Sequence, residues 1–268
     1  MTGGERWAAG ELAELRAAGF SPAAWTRFLS ESWRRAAATR RSRNSLARQA
    51  HVWSVAGLAT GVTAAAGARR NGVAAPHPAA WAAWWLSAAA MLDWHLGMVE
   101  GPAGESRERL SAADGLTLVR VGLVPFIAAQ RASDQATFAV LMTAAASTDV
   151  ADGVLARRHG PTRLGRDLDA AADVLVGAAG VRAARRAGWI GPVAGRLALA
   201  RHALPVAVVA AGYFGTDRRP TAFSTTRPAA PALVGGLVVA PFAPHLANAL
   251  VLAGSLAGLV LARPRSTR

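Results

Sequence analysis

Acidic residues are concentrated in one short part of this 268-residue sequence. Apolar stretches flank that part on both sides, and five of the 16 acidic residues lie in it: Asp149, Asp152, Asp167, Asp169 and Asp173. Ionisable side chains at membrane depth are costly, so in a membrane-spanning segment they are candidates for function. The segment is therefore where we expect chemistry.

The first acidic pair is spaced for one face of a helix. Asp149 and Asp152 are three residues apart, which places them on the same side of a helix through this segment. Ala156 and Arg157 lie one turn further along that face. Gly153 directly follows the second aspartate, and a residue without a side chain lets backbone or ligand approach closely.

The second acidic pair repeats this arrangement. In a helix that begins near residue 163, Gly165, Asp169 and Asp173 recur every four residues and share a face. Asp167 is two residues from Asp169, so it points away from that face, and we interpret it as a solvated acid near the start of the helix.

A short link joins the two predicted helices. Residues 158–164 contain Gly160-Pro161, which predicts a tight turn, so the antiparallel helices direct their carboxylates at each other. Four converging carboxylates in a low-dielectric site require cations, and oxygen ligands favour Mg²⁺ or Mn²⁺. Two metal ions about 3.5–4 Å apart suit phosphoryl-type transfer, and the guanidinium of Arg157 suits a diphosphate. The alternative is a set of buried salt bridges with nearby arginines.

Composition excludes several classes of protein. There is no Cys, which excludes disulfides, a thiolate nucleophile and a Cys-ligated metal site. All 30 basic residues are Arg, and the net charge is +14. The arginines form short clusters between apolar stretches, which is typical of a membrane protein with basic loops and not of a nucleic-acid-binding protein.

Apolar tracts fill the chain from residue 51 onward and predict an all-α, polytopic membrane helix bundle, since several have about the 20 residues that a membrane helix needs. We expect a six-helix core over 112–264, two extra transmembrane helices in 51–100 and a basic, amphipathic, helical cytoplasmic region in 1–50. The tracts are 51–68, 78–98, 115–130, 135–156, 166–184, 189–214, 229–243 and 245–262.

The N-terminal region predicts two helices. Residues 5–18 form the first, which Gly19 ends, and Ser21-Pro22 is typical of the start of the second. Four apolar residues then share a face of the second helix: Trp25, Phe28, Leu29 and Trp33. Two interpretations remain open: an interfacial helix at an anionic leaflet, or a helical hairpin packed on the protein's own cytoplasmic face.

The distribution of arginines predicts the orientation in a cytoplasmic membrane. Six arginines precede the first tract and place the N-terminus inside: Arg34, Arg35, Arg40, Arg41, Arg43 and Arg48. Eight crossings then put 99–114, 157–165, 215–228 and the C-terminal tail inside as well, so the acidic site faces the cytoplasm. Two arginine pairs fall outside, although basic residues are usually enriched on the cytoplasmic side: Arg69-Arg70 and Arg185-Arg186.

The ordered acidic motif resembles the signature of the CDP-alcohol phosphatidyltransferase family. The matching residues are Asp149, Asp152, Gly153, Ala156, Arg157, Gly165, Asp169 and Asp173. Seven residues separate Arg157 from Gly165, where the family usually has eight. A weaker similarity lies upstream, where Thr117 and Arg120 resemble the start of the family's first core helix and Asp114 stands where an Asn is common.

This resemblance implies transfer of a phosphatidyl group from a CDP-linked lipid donor, usually CDP-diacylglycerol, to an alcohol acceptor with release of CMP. It implies that Asp149, Asp152 and Asp169 bind Mg²⁺ or Mn²⁺ in a two-metal site, and that Asp173 faces the metals and is the general base. The residues that border the CDP moiety would be Asp152, Gly153, Ala156 and Arg157. Gly165 would allow close helix packing. A homodimer embedded in membrane lipids is also implied.

Two other functions remain as alternatives: an Asp-rich intramembrane transferase of the prenyltransferase kind, and a non-catalytic membrane protein. Arg201, within a predicted crossing, also has two interpretations. It lines a polar pocket for an anionic acceptor or lipid phosphate, together with Thr117 and Arg120, or it is the structural partner of an acid such as Asp93.

Overall fold

The computed structural model describes residues 3–215 and 229–261, which form a bundle of helices with no strand in these ranges. The N-terminal helices are α1 (Gly3–Ala17), α2 (Pro22–Ser42), α3 (Asn44–Arg70) and α4 (Pro78–Trp94), followed by a 3₁₀ turn at Leu96–Met98. The helices of the expected core are α5 (Ala112–Ala129), α6 (Gln135–His159), α7 (Arg163–Arg186), α8 (Pro192–Gly215), α9 (Ala230–Val239) and α10 (Pro244–Leu261). The predicted inside loop 215–228, apart from its first residue, and the basic tail lie outside the described residues.

Local signals in the sequence set the helix ends. Gly19 follows α1 with a φ of +60°, and the Ser21 hydroxyl accepts a hydrogen bond from the Ala24 amide at the start of α2. Between α6 and α7, Gly160 has a φ of +80°, which confirms the predicted turn. The hydroxyl of Thr162 then caps α7 by accepting a hydrogen bond from the Gly165 amide at 2.8 Å.

Helix α5 is the centre of the core. It packs along both α6 and α7, whereas α6 and α7 touch each other little. Helix α8 packs against α7 and α10, and α9 packs against α10 and α6. The buried side chains of Ile127, Phe138, Met142 and Leu237 join these helices in one apolar cluster. Burial of such a cluster is the main force that holds the core together.

Tryptophans attach the N-terminal helices to α5. Trp81 and Trp85 of α4 stack with their ring centroids 5.4 Å apart and occupy the space that the side-chain-free Gly57 and Gly61 of α3 leave open. The indole N–H of Trp85 donates to Ser54 O at 2.7 Å, and that of Trp81 donates to the backbone of α5. Packing therefore accounts for these tryptophans without a ligand.

Among the residues that the structure describes, three helices are long and apolar enough to cross a membrane: α5, residues 135–158 of α6, and α8. Helices α9 and α10 are apolar but shorter. The ten residues of α9 extend about 15 Å, half of a ~30 Å hydrocarbon core. The crossings expected at α3, α4 and α7 stay predictions.

The helical hairpin of α1 and α2 packs on the protein itself. Glu5 of α1 pairs with Arg163 at the first residue of α7. Arg16 donates to Tyr213 O at 2.7 Å near the end of α8, and the rings of Phe20 and Trp25 contact Phe214. The hairpin thus covers one end of α7 and α8. The packing agrees with the second of the two interpretations above, while the cytoplasmic position of this end stays a prediction.

The outer flank of α2 keeps apolar residues at the surface. Leu29 is 46% exposed and Trp33 is 56% exposed, although Trp33 also contacts the ring of Trp94 at the end of α4. Arg40 of α2 pairs with Asp93 of α4. The partner of Asp93 in this structure is therefore Arg40, and not Arg201 as one of the two interpretations of Arg201 has it.

Candidate active site

Three aspartates from two helices meet beside α5. Asp149 and Asp152 on α6 and Asp169 on α7 each offer a carboxylate oxygen, and these oxygens lie within 4.8 Å of one another. Asp152 is buried, while the side chains of Asp149 and Asp169 are 50% and 42% exposed. The site therefore has a buried floor and an open side.

Arg120 of α5 lies between the two acidic helices. Its guanidinium donates to Asp149 Oδ1 at 2.7 Å and to Asp152 Oδ2 at 2.8 Å, and it also pairs with Asp169. The side chain is 1% exposed. The two acidic pairs do face a common centre, as the spacing predicts, but an arginine from a third helix holds them there.

Asp173 is set apart from the other three carboxylates. Its Oδ1 lies 3.8 Å from Arg120 Nη1, which is beyond hydrogen-bond distance, and its side chain is 53% exposed. It stands one turn after Asp169 on the same face of α7. The arrangement gives three mutually close carboxylates and a fourth beside them.

Thr117 supports the buried aspartate from one turn before Arg120. Its hydroxyl lies 3.1 Å from Asp152 Oδ2 and 3.1 Å from the backbone oxygen of Ala113. Thr117 and Arg120, the two weaker candidates of the sequence, therefore both contact the acidic cluster directly.

The turn that joins α6 to α7 is tied to the start of α5. Ser111 and Asp114 form a reciprocal capping box there, with the Ser111 amide donating to Asp114 Oδ2 at 2.7 Å. The hydroxyl of Thr162 donates to Asp114 Oδ1 at 3.2 Å. A side chain on Gly165 would overlap that carboxylate, so this glycine does serve close packing.

The residues after Asp152 form an open edge of the site. Arg157 is exposed, and its Nη1 would lie 3.3 Å from a Cβ atom placed on Gly153. Ala156 is half-buried one turn along from Asp152. These residues combine a cation with small neighbours on one helix face.

Asp167 lies outside the cluster, as expected. Its Oδ2 accepts a hydrogen bond from Arg163 Nε at 3.1 Å. Burial lowers the pKa of the Arg163 guanidinium, but the carboxylates of Asp167 and Glu5 outweigh burial, so its pKa is raised. Arg163 is thus held as a cation between α1 and α7.

The acidic cluster fits a divalent metal ion. Its oxygens come from carboxylates alone, which is the donor set that Mg²⁺ and Mn²⁺ prefer. Their oxygens lie within 4.8 Å of one another, so the three aspartates could hold a metal ion. In this structure Arg120 pairs with the same three carboxylates, which is the salt-bridge arrangement named above as the alternative.

Sequence reasoning understated the role of Arg120. The available signal was an arginine three residues after Thr117 in an otherwise apolar helix. The contact of Asp114 with Thr162 was not predicted from the sequence either. Spacing along one helix predicts a shared face, but it does not show which other helix that face meets.

Comparison with known proteins agrees with this geometry. The family model for CDP-alcohol phosphatidyltransferase matches residues 110–260. A search of curated proteins and a search of solved structures each found no match. The matched segment contains α5 to α9, nearly all of α10, and every carboxylate of the acidic cluster. Since it covers more than half of the sequence, the chain belongs to the CDP-alcohol phosphatidyltransferase family.

Proposed function

We propose that the protein is a metal-dependent enzyme of phospholipid biosynthesis. It transfers a phosphatidyl, or phospho-alcohol, group from a CDP-linked lipid donor such as CDP-diacylglycerol to the hydroxyl of an alcohol acceptor, and CMP leaves. Family membership supports a CDP-alcohol substrate and an alcohol acceptor. The observation that carries the proposal is the convergence of Asp149, Asp152 and Asp169 around one buried arginine.

The three close carboxylates are the proposed metal ligands, with Asp173 at the edge of the same site. A bound divalent cation would neutralise the diphosphate and stabilise the charge that develops on the transferred phosphate. Arg120 keeps the carboxylates in place from the buried side, because it contacts all of them from α5. Gly153, Ala156 and Arg157 border the CDP moiety in this proposal.

Asp173 is the proposed general base. A base must reach the acceptor hydroxyl, and Asp173 has the freest carboxylate of the four, since its nearest contact with Arg120 is 3.8 Å. The hydroxyl oxygen attacks the phosphorus next to the lipid alcohol while its proton passes to Asp173. The bond from that phosphorus to the oxygen shared with CMP breaks, and CMP carries that oxygen away.

The setting of the reaction is a membrane. Long apolar helices and membership of a membrane enzyme family fit an integral membrane protein. We propose that the active site faces the cytoplasm, on the side where the arginine-rich N-terminal segment lies, and that the protein acts as a homodimer.

Release of CMP from CDP-diacylglycerol tests the proposal. Purified protein is supplied with Mg²⁺ or Mn²⁺ and a pool of alcohols, and Asp173→Asn is compared with Asp167→Asn. We expect metal-dependent release that falls at least about a hundred-fold in Asp173→Asn, since general-base catalysis contributes that much or more. Asp167→Asn is the matched control because this exposed aspartate lies on α7 outside the cluster.

The alternatives predict different results. A transferase of the prenyltransferase kind would release inorganic diphosphate from a prenyl diphosphate and no CMP. A non-catalytic protein would bind metal without releasing either product. Absence of CMP release from a folded, metal-binding protein with every acceptor would therefore contradict the proposal.

A further inference from the structure

A cavity opens at the end of the core that lies away from the acidic cluster. Its volume is about 340 Å³, which is within the range of small-molecule sites, and the residues that line it include Gln130, Arg131 and Arg186. Arg186 is the last residue of α7 and follows Asp169 by 17 positions, about 25 Å along a helix. The cavity is therefore separate from the candidate active site.

The links between helices at this end carry an excess of positive charge. Residues 69–78, 130–135 and 185–192 together contain five arginines and one acid, Asp134. The Oδ2 atom of Asp134 accepts a hydrogen bond from the backbone amide of Arg131 at 3.0 Å. Within residues 3–215 and 229–261 neither of the arginines that line the cavity forms an ion pair with an acid. The charge at this end is thus suited to an anion.

Two arginines from different helix ends meet at the cavity. Arg186 of α7 donates to the backbone oxygen of Ala128 near the end of α5, and this hydrogen bond holds its side chain beside the cavity. Arg131 comes just after α5 and is exposed. A guanidinium has five N–H donors, so both side chains keep donors for an anion that enters between them.

Gln130 lines the same cavity and lacks one hydrogen bond. Its side-chain nitrogen donates to Ala74 O at 2.9 Å and to Phe126 O at 2.8 Å, whereas its buried Oε1 has no partner among the described residues. Rotation of the amide would break both hydrogen bonds, so this oxygen needs a donor from elsewhere. A hydroxyl or ammonium group is such a donor. The lining therefore combines cations with one hydrogen-bond acceptor.

The position of the cavity along α5 favours a lipid over a soluble ligand. The 18 residues of this helix extend about 27 Å, close to the ~30 Å thickness of the hydrocarbon core. When α5 crosses the membrane, the residues at its end lie at the level of the phospholipid headgroups. Phosphate groups are concentrated at this level, and basic pockets between membrane helices bind them.

We propose that this cavity binds the headgroup of an anionic phospholipid that carries hydroxyl groups, such as phosphatidylglycerol. Arg131 and Arg186 donate to the phosphate, because a guanidinium forms paired hydrogen bonds with phosphate oxygens. A hydroxyl of the headgroup supplies the donor that Gln130 Oε1 lacks. The lipid joins the end of α5 to the end of α7 and takes no part in a chemical step, so this inference is independent of the proposed transfer reaction.

Thermal unfolding of the full chain in detergent tests the inference with ligands that differ in one feature each. The ligands are phosphatidylglycerol, phosphatidylcholine and diacylglycerol with the same acyl chains, and glycerol 3-phosphate without acyl chains. We expect phosphatidylglycerol to raise the unfolding temperature most, because a ligand that binds the folded state stabilises it. Phosphatidylcholine lacks the net charge and the hydroxyl groups, and diacylglycerol lacks the phosphate.

A double variant assigns this stabilisation to the cavity. In Arg131→Gln/Arg186→Gln we expect the affinity for phosphatidylglycerol to fall about tenfold or more, since charged hydrogen bonds to the phosphate are lost. The control is Arg48→Gln/Arg70→Gln, which removes the same charge from two exposed arginines of α3 that do not line the cavity. This control should bind the lipid as the wild type does.

Two further variants separate binding from folding. Arg131→Lys/Arg186→Lys keeps both cations without the planar fork, so we expect it to restore part of the affinity. If the double glutamine variant does not fold, Arg131→Gln carries the test, because Arg131 is exposed. We then expect about a threefold loss of affinity, half of the tenfold effect when both are expressed as free energies.

Several outcomes overturn the inference. Equal stabilisation of the wild type and the glutamine variant by phosphatidylglycerol would place the lipid elsewhere. An equal effect of diacylglycerol or phosphatidylcholine would show that the anionic headgroup is not recognised, and an equal effect of glycerol 3-phosphate would assign the cavity to a soluble phosphate. None of these results depends on CMP release, so the proposed function is tested separately.

Discussion

The guanidinium of Arg120 donates to Asp152 Oδ2 at 2.8 Å, and the two side chains are only 1% and 8% exposed. This pair joins α5 to α6 at the buried floor of the site. Removing one member of a buried ion pair leaves the other charge without compensation, which costs more than the pair itself contributes. Arg120 therefore holds the aspartates of α6 and α7 in place from the buried side of the site.

Replacing this arginine should destabilise the whole core. In Arg120→Gln no cation from the protein offsets the repulsion among the four carboxylates. We therefore expect the free energy of unfolding to fall by about 3–5 kcal/mol. Thermal unfolding in detergent measures this loss. Arg158→Gln is the control, because Arg158 is exposed at the end of α6, and it should change the free energy of unfolding little. Equal stability of the two variants would contradict the central role of Arg120.

Metal binding should depend on the close carboxylates. We expect Mn²⁺ to raise the unfolding temperature of the wild type, because an ion that binds the folded state stabilises it. The shift should disappear with excess chelator and in Asp152→Asn, which removes the charge of the buried aspartate that we propose as a ligand. Asp167→Asn should keep the shift. If the Asp152→Asn variant is stabilised by Mn²⁺ as much as the wild type, the metal lies elsewhere.

Gly165→Ala should disturb the turn between α6 and α7. The added methyl group overlaps the Asp114 carboxylate and lies 2.8 Å from the Thr162 hydroxyl, so a capping contact must shift. We expect the free energy of unfolding to fall by about 1–3 kcal/mol, as at other overpacked sites. We also expect weaker Mn²⁺ binding. Gly235→Ala in α9 is the matched control, since nothing lies within 4 Å of its added Cβ. The free energy of unfolding and the Mn²⁺ affinity of both variants test this prediction, and equal values for the two variants would contradict it.

The contact of Glu5 with Arg163 should hold the N-terminal hairpin on the core. Its side chains are 27% and 13% exposed, so we expect the pair to contribute about 1 kcal/mol. Glu5→Gln should then speed hydrogen exchange in α1 about fivefold, because local opening follows the local free energy. Glu14 is an exposed acid on the same helix, so in Glu14→Gln the amides of α1 should exchange at the wild-type rate. Unchanged exchange in Glu5→Gln would show that the aromatic contacts of Phe214 are sufficient.

Much of the local structure follows from short sequence signals. Gly19, Ser21-Pro22 and Gly160-Pro161 mark helix ends that the structure has at those places. The spacing of the aspartates predicts their shared faces, since helix periodicity depends only on neighbours within a turn or two. The roles assigned to the individual aspartates stay predictions.

Long-range pairing was beyond sequence reasoning. Arg120 meets carboxylates 29 to 49 positions away along the chain, and Arg40 meets Asp93 at a separation of 53. An arginine can pair with any nearby acid, so residue type and periodicity do not select the partner. Which helices become neighbours is decided by the packing of apolar surfaces such as those around Phe138 and Met142.

The N-terminal hairpin is synthesised well before the residues of α7 and α8 that it contacts. Arg16 is made early, but the Tyr213 carbonyl that it contacts is 197 residues further along the chain. Glu5 likewise waits for Arg163. Until the ribosome has added first Arg163 and then Tyr213, the hairpin has neither of these partners. Its docking is thus a late step of assembly, after the helices of the acidic cluster have been made.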